Sequence, residues 1–403
     1  MADNMVVISW AFAPPATNGG QKRLQGLVEA ISGAGWTVHL LLLGSGDFKP
    51  GSPGFEAWRK LGVASVHARA FNRIDHYLGL LSRLFEKSYP WSPLTCSPLL
   101  RRWVRRQLVG IKPHIVLTNF IEWCPLLRLA KGSRLGFDCV DLWSRHQAQV
   151  AMIAKRFPPG EWPLPAPEDH VLLESCCENI GQIDLSAEMQ LLARHDIILA
   201  ISQDEAGEII RSVSGPVVET VPMCANAVNI GNTYQGPPLM VGHNHPFNAQ
   251  AYAYFVQRVL PLMDDAGRGF SFRLVGRGAE RFPPHPAADI AGFVEDIVEE
   301  YRQAAFLMVP VLAGTGQMTR VVEAMGYGLP VVATGAAARS SPIKHGVNGF
   351  IAKDAKSFAR HVNQLDSDRR LAQAMGRAAR DTVASECSSL HMRQRISAIF
   401  KKN

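Results

Sequence analysis

Apolar residues along the chain fall into short continuous runs, separated by longer stretches where they recur every three or four positions. In the first half the runs are "MVVISWA", "WTVHLLLLG", "PHIVLTNF", "RLGFDCVD" and "HDIILAIS", each closed by polar or turn residues. Runs without polar alternation predict strands buried on both faces, as in a parallel sheet covered by helices. Between the first two, "QKRLQGLVEAISGAG" places Leu24, Leu27, Val28 and Ile31 on one side and predicts an amphipathic helix. "RFPPGEWPLPAPEDH" predicts a proline-rich surface loop. "GPVVETVPMCANAVNIGNTYQGPP", rich in Gly, Pro and Asn, predicts an interdomain crossing. Beyond it "PLMVGHN", "FSFRLVGRG", "ADIAGFV", "AAFLMVPV" and "VVAT" predict further strands, with helices over "AQAYAYFVQRVLPLM" and "DIVEEYRQA". "AKSFARHVNQLDSDRRLAQAMGRAARDTVASE" is helical by period. The pattern predicts two doubly wound α/β domains, 1–222 and 223–385, facing across a cleft. A terminal helix over 386–403 is expected to pack back on the first domain. Ligands of such sheets lie at the carboxyl ends of the strands.

Length and composition sharpen this picture. A chain of 403 residues exceeds one ordinary core and suits two domains, and 47% hydrophobic residues with 18 Phe and 8 Trp argue for a folded protein. No apolar run approaches the ~18 residues of a membrane span. The start, "MADNMVVISWAFAPP", lacks a basic region and reads as strand and loop, not as a signal peptide. Seven cysteines, with Cys176 and Cys177 adjacent and no CxxC, predict reduced thiols in a cytoplasmic protein, and no metal site.

The net charge of +7 is uneven: residues 1–150 carry 18 basic and 9 acidic side chains, the remainder 24 and 26. A basic first domain favours an anionic partner. The charge is densest in "SPLLRRWVRRQL", where Arg101, Arg102, Arg105 and Arg106 interleave with Leu99, Leu100, Trp103, Val104 and Leu108 at helical spacing. Two readings stand: a helix lying on an anionic membrane surface, or an amphipathic helix with a solvated basic face. Nucleic acid is not expected as a partner, because the chain shows no zinc finger, aromatic RNA-binding signature or arginine-rich tail.

The densest chemistry lies in "GTGQMTRVVEAMGYGLPVVAT", residues 314–334. A glycine loop leads from a predicted strand into a helix, whose first N–H groups form an anion site. Gly314 and Gly316 permit close backbone approach. Arg320 falls in the first turn and Glu323 one turn along the same face, with Val321, Val322 and Met325 on the other. The cation suits a diphosphate and the carboxylate suits paired hydroxyls of a sugar or ribose. The competing reading is a helix-surface ion pair worth about 0.2–0.5 kcal/mol.

This stretch resembles the donor-binding signature of the retaining GT-B glycosyltransferases of family 4 (group 1), in which a glycine loop and a Lys or Arg precede "EA" and then "GxPVVAT". The resemblance extends along most of the chain: "APPATNGGQKRLQGLVEAISGAGWTVHLL" with Gly19 and Gly20, "LARHDIILAISQDEAGEI", "LMVGHNHPFNAQAYAYFVQRVLPLM" with Gly242 and Asn248, and "GFVEDIVEEYRQAAFLMVPV" with Phe293 and Val294. It implies a GT-B fold of two Rossmann-like domains and a nucleotide-diphosphate sugar as donor, with no cofactor and no metal. It implies donor contacts from Gly19, Gly20, Gly242, Asn248, Phe293, Val294, Gly314, Thr315, Gly316, Gln317, Arg320 and Glu323. The base would be held through the backbone at Phe293 and Val294.

The departures also carry information. Thr315 stands where many members have a second glutamate, so a hydroxyl or the loop backbone serves instead. "GHNHPFN" offers His243, Asn244 and His245 where phosphate-binding Arg and Lys are common. "FDCVDLWSRH" has Val140 in place of a histidine and keeps Asp141, as in a subgroup linked to cell-surface polysaccharide assembly. Asp141 has two readings: a catalytic group that orients the acceptor hydroxyl or stabilises charge on the sugar, or an N-cap of the following helix. His146, His243 and His245 are ligands, acid–base groups or structural residues. The expected acceptor is a lipid-linked or phosphorylated saccharide, met in the cytoplasm or at the inner membrane face. The alternatives are a soluble small-molecule acceptor and a donor-binding subunit without activity, the latter suggested by Thr315 and Val140.

Overall fold

The computed structural model describes residues 3–83, 93–156, 183–263 and 269–400. Two compact units are present. The first takes in the described residues of Met1–Leu142 with Ser186–Pro222 and Ser389–Phe400, the second the described residues of Trp143–Leu185 and Met223–Ser388. The helix Trp143–Arg156, which falls in the expected first domain, therefore groups with the second unit, where it packs on the helix Pro246–Tyr254. The proline-rich stretch 157–170 and the Cys176–Cys177 pair lie outside the described residues.

In the first unit seven parallel strands form a sheet: β1 Asn4–Trp10, β2 Thr37–Leu43, β3 Val63–Arg69, β4 Ile115–Asn119, β5 Arg134–Cys139, β6 Ile197–Ala200 and β7 Val217–Thr220. Their order is β3-β2-β1-β4-β5-β6-β7. The chain starts at the centre, winds outward one way, then returns and winds the other. The second unit repeats the plan with β8 Leu239–Val241, β9 Phe272–Val275, β10 Ala288–Gly292, β11 Leu307–Val309, β12 Val331–Thr334 and β13 Gly349–Ala352, in the order β10-β9-β8-β11-β12-β13. Each order reverses beside the first strand of its unit, which opens a crevice at the strand C-termini.

Two expected elements differ, and a third bears on the two readings of the basic helix. The stretch read as a crossing begins with an edge strand, β7, whose side chains alternate between half-buried and exposed. The long terminal helical pattern breaks into Ala355–Ser367 and Arg369–Glu386, because the Asp368 carboxylate accepts from the backbone N–H groups of Arg370 and Leu371, both at 3.0 Å, and caps the second helix. The basic helix Pro98–Ile111 turns Leu100, Val104 and Leu108 into the first unit's core, with Trp103 packed against it. Three of the apolar residues that a membrane reading would insert are thus already used, while Leu99, Arg102, Arg105 and Arg106 are left at the surface.

Candidate functional site

The loops at the C-terminal ends of β8, β9, β10 and β11 converge in the second unit. The Asn244 N–H donates to the Arg277 carbonyl (3.0 Å) and the Gly276 N–H to the Gly292 carbonyl (2.7 Å), which ties the first three loops together. Gly276 adopts φ +147, and a side chain there would strike the Gly242 carbonyl, its Cβ lying 2.2 Å from that oxygen. At Gly242 the limit is Asn248, whose buried amide donates to the His243 carbonyl at 2.8 Å. Asn248 Oδ1 is buried and has no hydrogen-bond partner.

The helix Thr319–Gly326 begins beside these loops. Its guanidinium, Arg320, donates to the carbonyl of Val241, the last residue of β8. The Glu323 carboxylate accepts from the Tyr301 hydroxyl (3.3 Å), and Tyr301 is fully buried and stacked on Tyr327. Arg320 and Glu323 are therefore not held as a helix-surface ion pair. Burial lowers the pKa of Arg320, and burial with the Glu323 carboxylate raises that of Tyr301. Of the preceding loop, Gly316 takes the left-handed conformation (φ +66), and a Cβ on Gly314 would crowd the Met318 methyl at 3.2 Å.

The Gln317 side chain is engaged within the fold. Its amide oxygen accepts from the Met223 N–H (2.7 Å) and its nitrogen donates to the Ser340 carbonyl (2.7 Å), so the side chain pins the loop in place. Thr315 bonds through Oγ1 to His146 Nδ1 at 2.9 Å. His146 stacks on Trp143 and lies 6.5 Å, between ring centroids, from His245, which is 5.6 Å from His243. Burial lowers the pKa of both His243 and His245, that of His245 to about 4, and Arg320 contributes to each shift. Near neutral pH these imidazoles are uncharged hydrogen-bonding groups beside one guanidinium. Among the described residues no three His, Cys, Asp or Glu side chains are grouped to hold a metal ion. Phe293 is exposed, with the Arg277 guanidinium 5.3 Å above its ring, while Val294 packs on the core.

His245 also caps the helix Pro246–Tyr254, accepting from the Phe247 N–H at 3.3 Å. Its lowered pKa means that the unfolded chain binds this proton first, so stability falls as pH drops from about 6.5 towards about 4. His245→Asn replaces the ring nitrogen by a capping amide oxygen and removes the titration. The variant is expected to lose less melting temperature than the parent over that interval, as followed by circular dichroism.

The remaining expected residues lie in the first unit. Gly19 and Gly20 open the helix Gly19–Gly33 behind the Asn18 cap, and a Cβ on Gly20 would meet the Phe120 ring at 2.9 Å. Arg23, just beyond them, faces inward and is fully buried. Its guanidinium pairs with Asp138 (2.7 Å) and donates to the Val221 and Pro222 carbonyls (2.6 and 3.0 Å). Asp138 also accepts from Asn119 Nδ2 at 2.7 Å. Asp141 follows β5, and its backbone carbonyl accepts from Cys139 Sγ. Nearby, Glu122 accepts from the Trp10 indole (2.5 Å), and burial chiefly, with a contribution from Asp141, raises the Glu122 pKa. Trp10 is 39% exposed and packs edge-on to Trp123 and Phe71.

Sequence reasoning passed over Tyr301, Glu122 and the His146–Thr315 bond. Only the third had a signal, His146 of "SRH" and Thr315 of the glycine loop, and nothing in the sequence joins the two positions.

Comparison with known proteins gives this geometry a class. The chain superposes on HepE from Anabaena, solved with UDP and glucose (14% identity, 98% of each chain covered, TM-score 0.60). It also superposes on sucrose-phosphate synthase from Thermosynechococcus elongatus (15% identity, 99% of this chain and 98% of that one, TM-score 0.64) and on TarM of S. aureus (10%, 100% and 99%, TM-score 0.67). The fold of the chain is the one seen in GT-B glycosyltransferase structures. Residues 238–368, which hold all the loops just described for the second unit, match the family model "Glycosyl transferases group 1". No curated protein matches the chain in sequence.

Proposed function

We propose that the chain transfers a hexose, with retention of anomeric configuration, from a nucleotide-diphosphate sugar to an acceptor hydroxyl. The observation that carries this reading is the placement of Arg320 and Glu323 on one helix beside the β8–β11 loops, each held by a partner from another element, inside the segment that matches the family model. Arg320 and the helix N-terminus neutralise the leaving diphosphate, and Glu323 fastens hydroxyls of the donor. HepE was solved with UDP and glucose, which supports a nucleotide sugar as the donor class here. The leaving phosphate takes the acceptor proton, so no strong protein base is needed, and transfer is expected to persist in EDTA. Asp141 acts on the acceptor side, where it orients the hydroxyl.

The acceptor is a lipid-linked or phosphorylated saccharide, a precursor of a cell-surface glycan, reached by a cytoplasmic enzyme at the inner membrane face. The basic side chains of the first unit support an anionic acceptor. A soluble acceptor is the second reading, favoured by the burial of the apolar face of Pro98–Ile111. A thermal-shift screen of UDP-, GDP- and ADP-sugars tests the donor: one series is expected to raise the melting temperature, and no shift with any of them would remove the reading. Asp141→Asn is expected to lower kcat about 10²-fold with an unchanged thermal shift by the donor. Equal loss of donor binding would move Asp141 out of the acceptor role.

A further inference from the structure

The order of the first sheet reverses between β1 and β4, and the crevice that this opens lies at their C-terminal ends. Trp10 is the last residue of β1. The residues before it, Met5–Ser9, are buried, whereas Trp10 is exposed, as no other tryptophan among the described residues is. A tryptophan serving only the core turns its ring inward, as Trp123 does beside it at full burial. The Trp10 ring is nonetheless held in place. Its indole N–H donates to Glu122 Oε1, Trp123 packs against it at 4.6 Å and 65°, and Phe71, just past β3, at 6.2 Å and 83°. Glu122 reaches this spot from β4. That strand ends at Asn119, Phe120 turns the chain at φ +74, a conformation costly for an aromatic residue, and Glu122 follows in the short helix Ile121–Leu129. A fixed, exposed ring bonded to a carboxylate is a preorganised binding feature.

Its chemistry narrows the ligand. A pyranose ring presents C–H groups that pack on an aromatic face, and around its rim hydroxyl donors that suit a carboxylate acceptor. A phosphate is disfavoured here. Burial raises the Glu122 pKa and the charge of Asp141 adds to the rise, so an anion would meet two carboxylates. A wholly apolar ligand would cover the ring and leave the carboxylate desolvated beside it.

We propose that Trp10 and Glu122 form a saccharide subsite of the first unit, in which the indole stacks on a pyranose ring and the carboxylate accepts from its hydroxyls. As part of acceptor recognition the subsite rests on the transferase reading. It makes a sugar ring, not the phosphate or the lipid of the acceptor, the group recognised at this end of the first sheet.

The test follows binding and not turnover. The full chain is titrated with the methyl glycosides of glucose, galactose, mannose and N-acetylglucosamine, and saturation transfer to their ring protons is read by NMR. At least one is expected to bind the parent, and to bind Trp10→Ala about tenfold more weakly, the scale of one aromatic contact. Glu122→Gln is expected to bind it about fivefold more weakly, through loss of a charge-assisted hydrogen bond. The glutamine oxygen still accepts from the Trp10 indole, so this variant decides alone if Trp10→Ala does not fold. Glu323→Ala, in the second unit, is expected to keep the parental affinity. No binding by the parent, or parental affinity in Trp10→Ala or Glu122→Gln, overturns the proposal. Affinity lost only in Glu323→Ala places the sugar in the donor crevice and does the same. A failed donor screen with the Trp10 and Glu122 losses intact removes the transferase reading and leaves the subsite standing.

Discussion

Glu323→Ala and Arg320→Ala are each expected to lower donor turnover by about 10²–10³-fold in kcat/KM, the scale for removing one charged contact to a developing anion or its hydroxyl partner. Stability should change much less. Arg320 donates to a single backbone carbonyl, and its removal frees the Val241 oxygen, at about 1 kcal/mol. Glu323→Ala leaves the buried Tyr301 hydroxyl without its acceptor, at about 1–3 kcal/mol. Glu323→Gln separates the two effects: its amide oxygen still accepts from Tyr301, while the charge is gone. It should melt close to the parent and remain inactive. Full kcat/KM in either alanine variant would place the donor elsewhere.

The largest stability effect is expected from the Arg23–Asp138 pair, which is fully buried. Arg23→Ala strands a carboxylate that then keeps only the Asn119 amide, and it removes the donors to Val221 and Pro222. Breaking a buried pair from one side costs about 3–5 kcal/mol, well above the 0–1 kcal/mol of a surface pair such as Arg211–Glu208. Chemical denaturation of Arg23→Ala, followed by tryptophan fluorescence, should show an early transition of the first unit. A midpoint equal to that of the parent would mean that water or rearrangement satisfies Asp138. Ser9, which donates to Asn119 Oδ1 at 3.0 Å, extends the same network to β1.

The central strands were legible because burial on both faces leaves a continuous apolar run, as in "HLLLL" of β2 and "IVLTN" of β4. The edge strand β7 gives no such run: it is "VVET", half in solvent, and follows a Gly-Pro that reads as a turn. Arg320 and Glu323 were legible because helix spacing places them on one face, but their separate partners, Val241 and Tyr301, come from other elements. Arg23 and Gln317 show the opposite limit. Each has the chemistry of a ligand contact and lies next to a glycine motif, and each is taken up by long-range hydrogen bonds within the fold. A sequence states which groups are available, and only the fold states which are already engaged.

The helix Ser389–Ile399 lies against Gly19–Gly33, the Phe400 ring meets Trp36, and Arg395 donates to the Thr220 carbonyl. The first unit therefore includes residues made some 165 positions after Pro222, its last preceding contributor. During synthesis, at roughly 5–20 residues per second, that unit waits tens of seconds or less with the surface around Trp36 uncovered. The second unit has no such wait: its chain is complete before the ribosome reaches the final helix. Order of emergence and order of completion are thus reversed, and a nascent first unit rests on its own sheet until Ser389–Ile399 emerges.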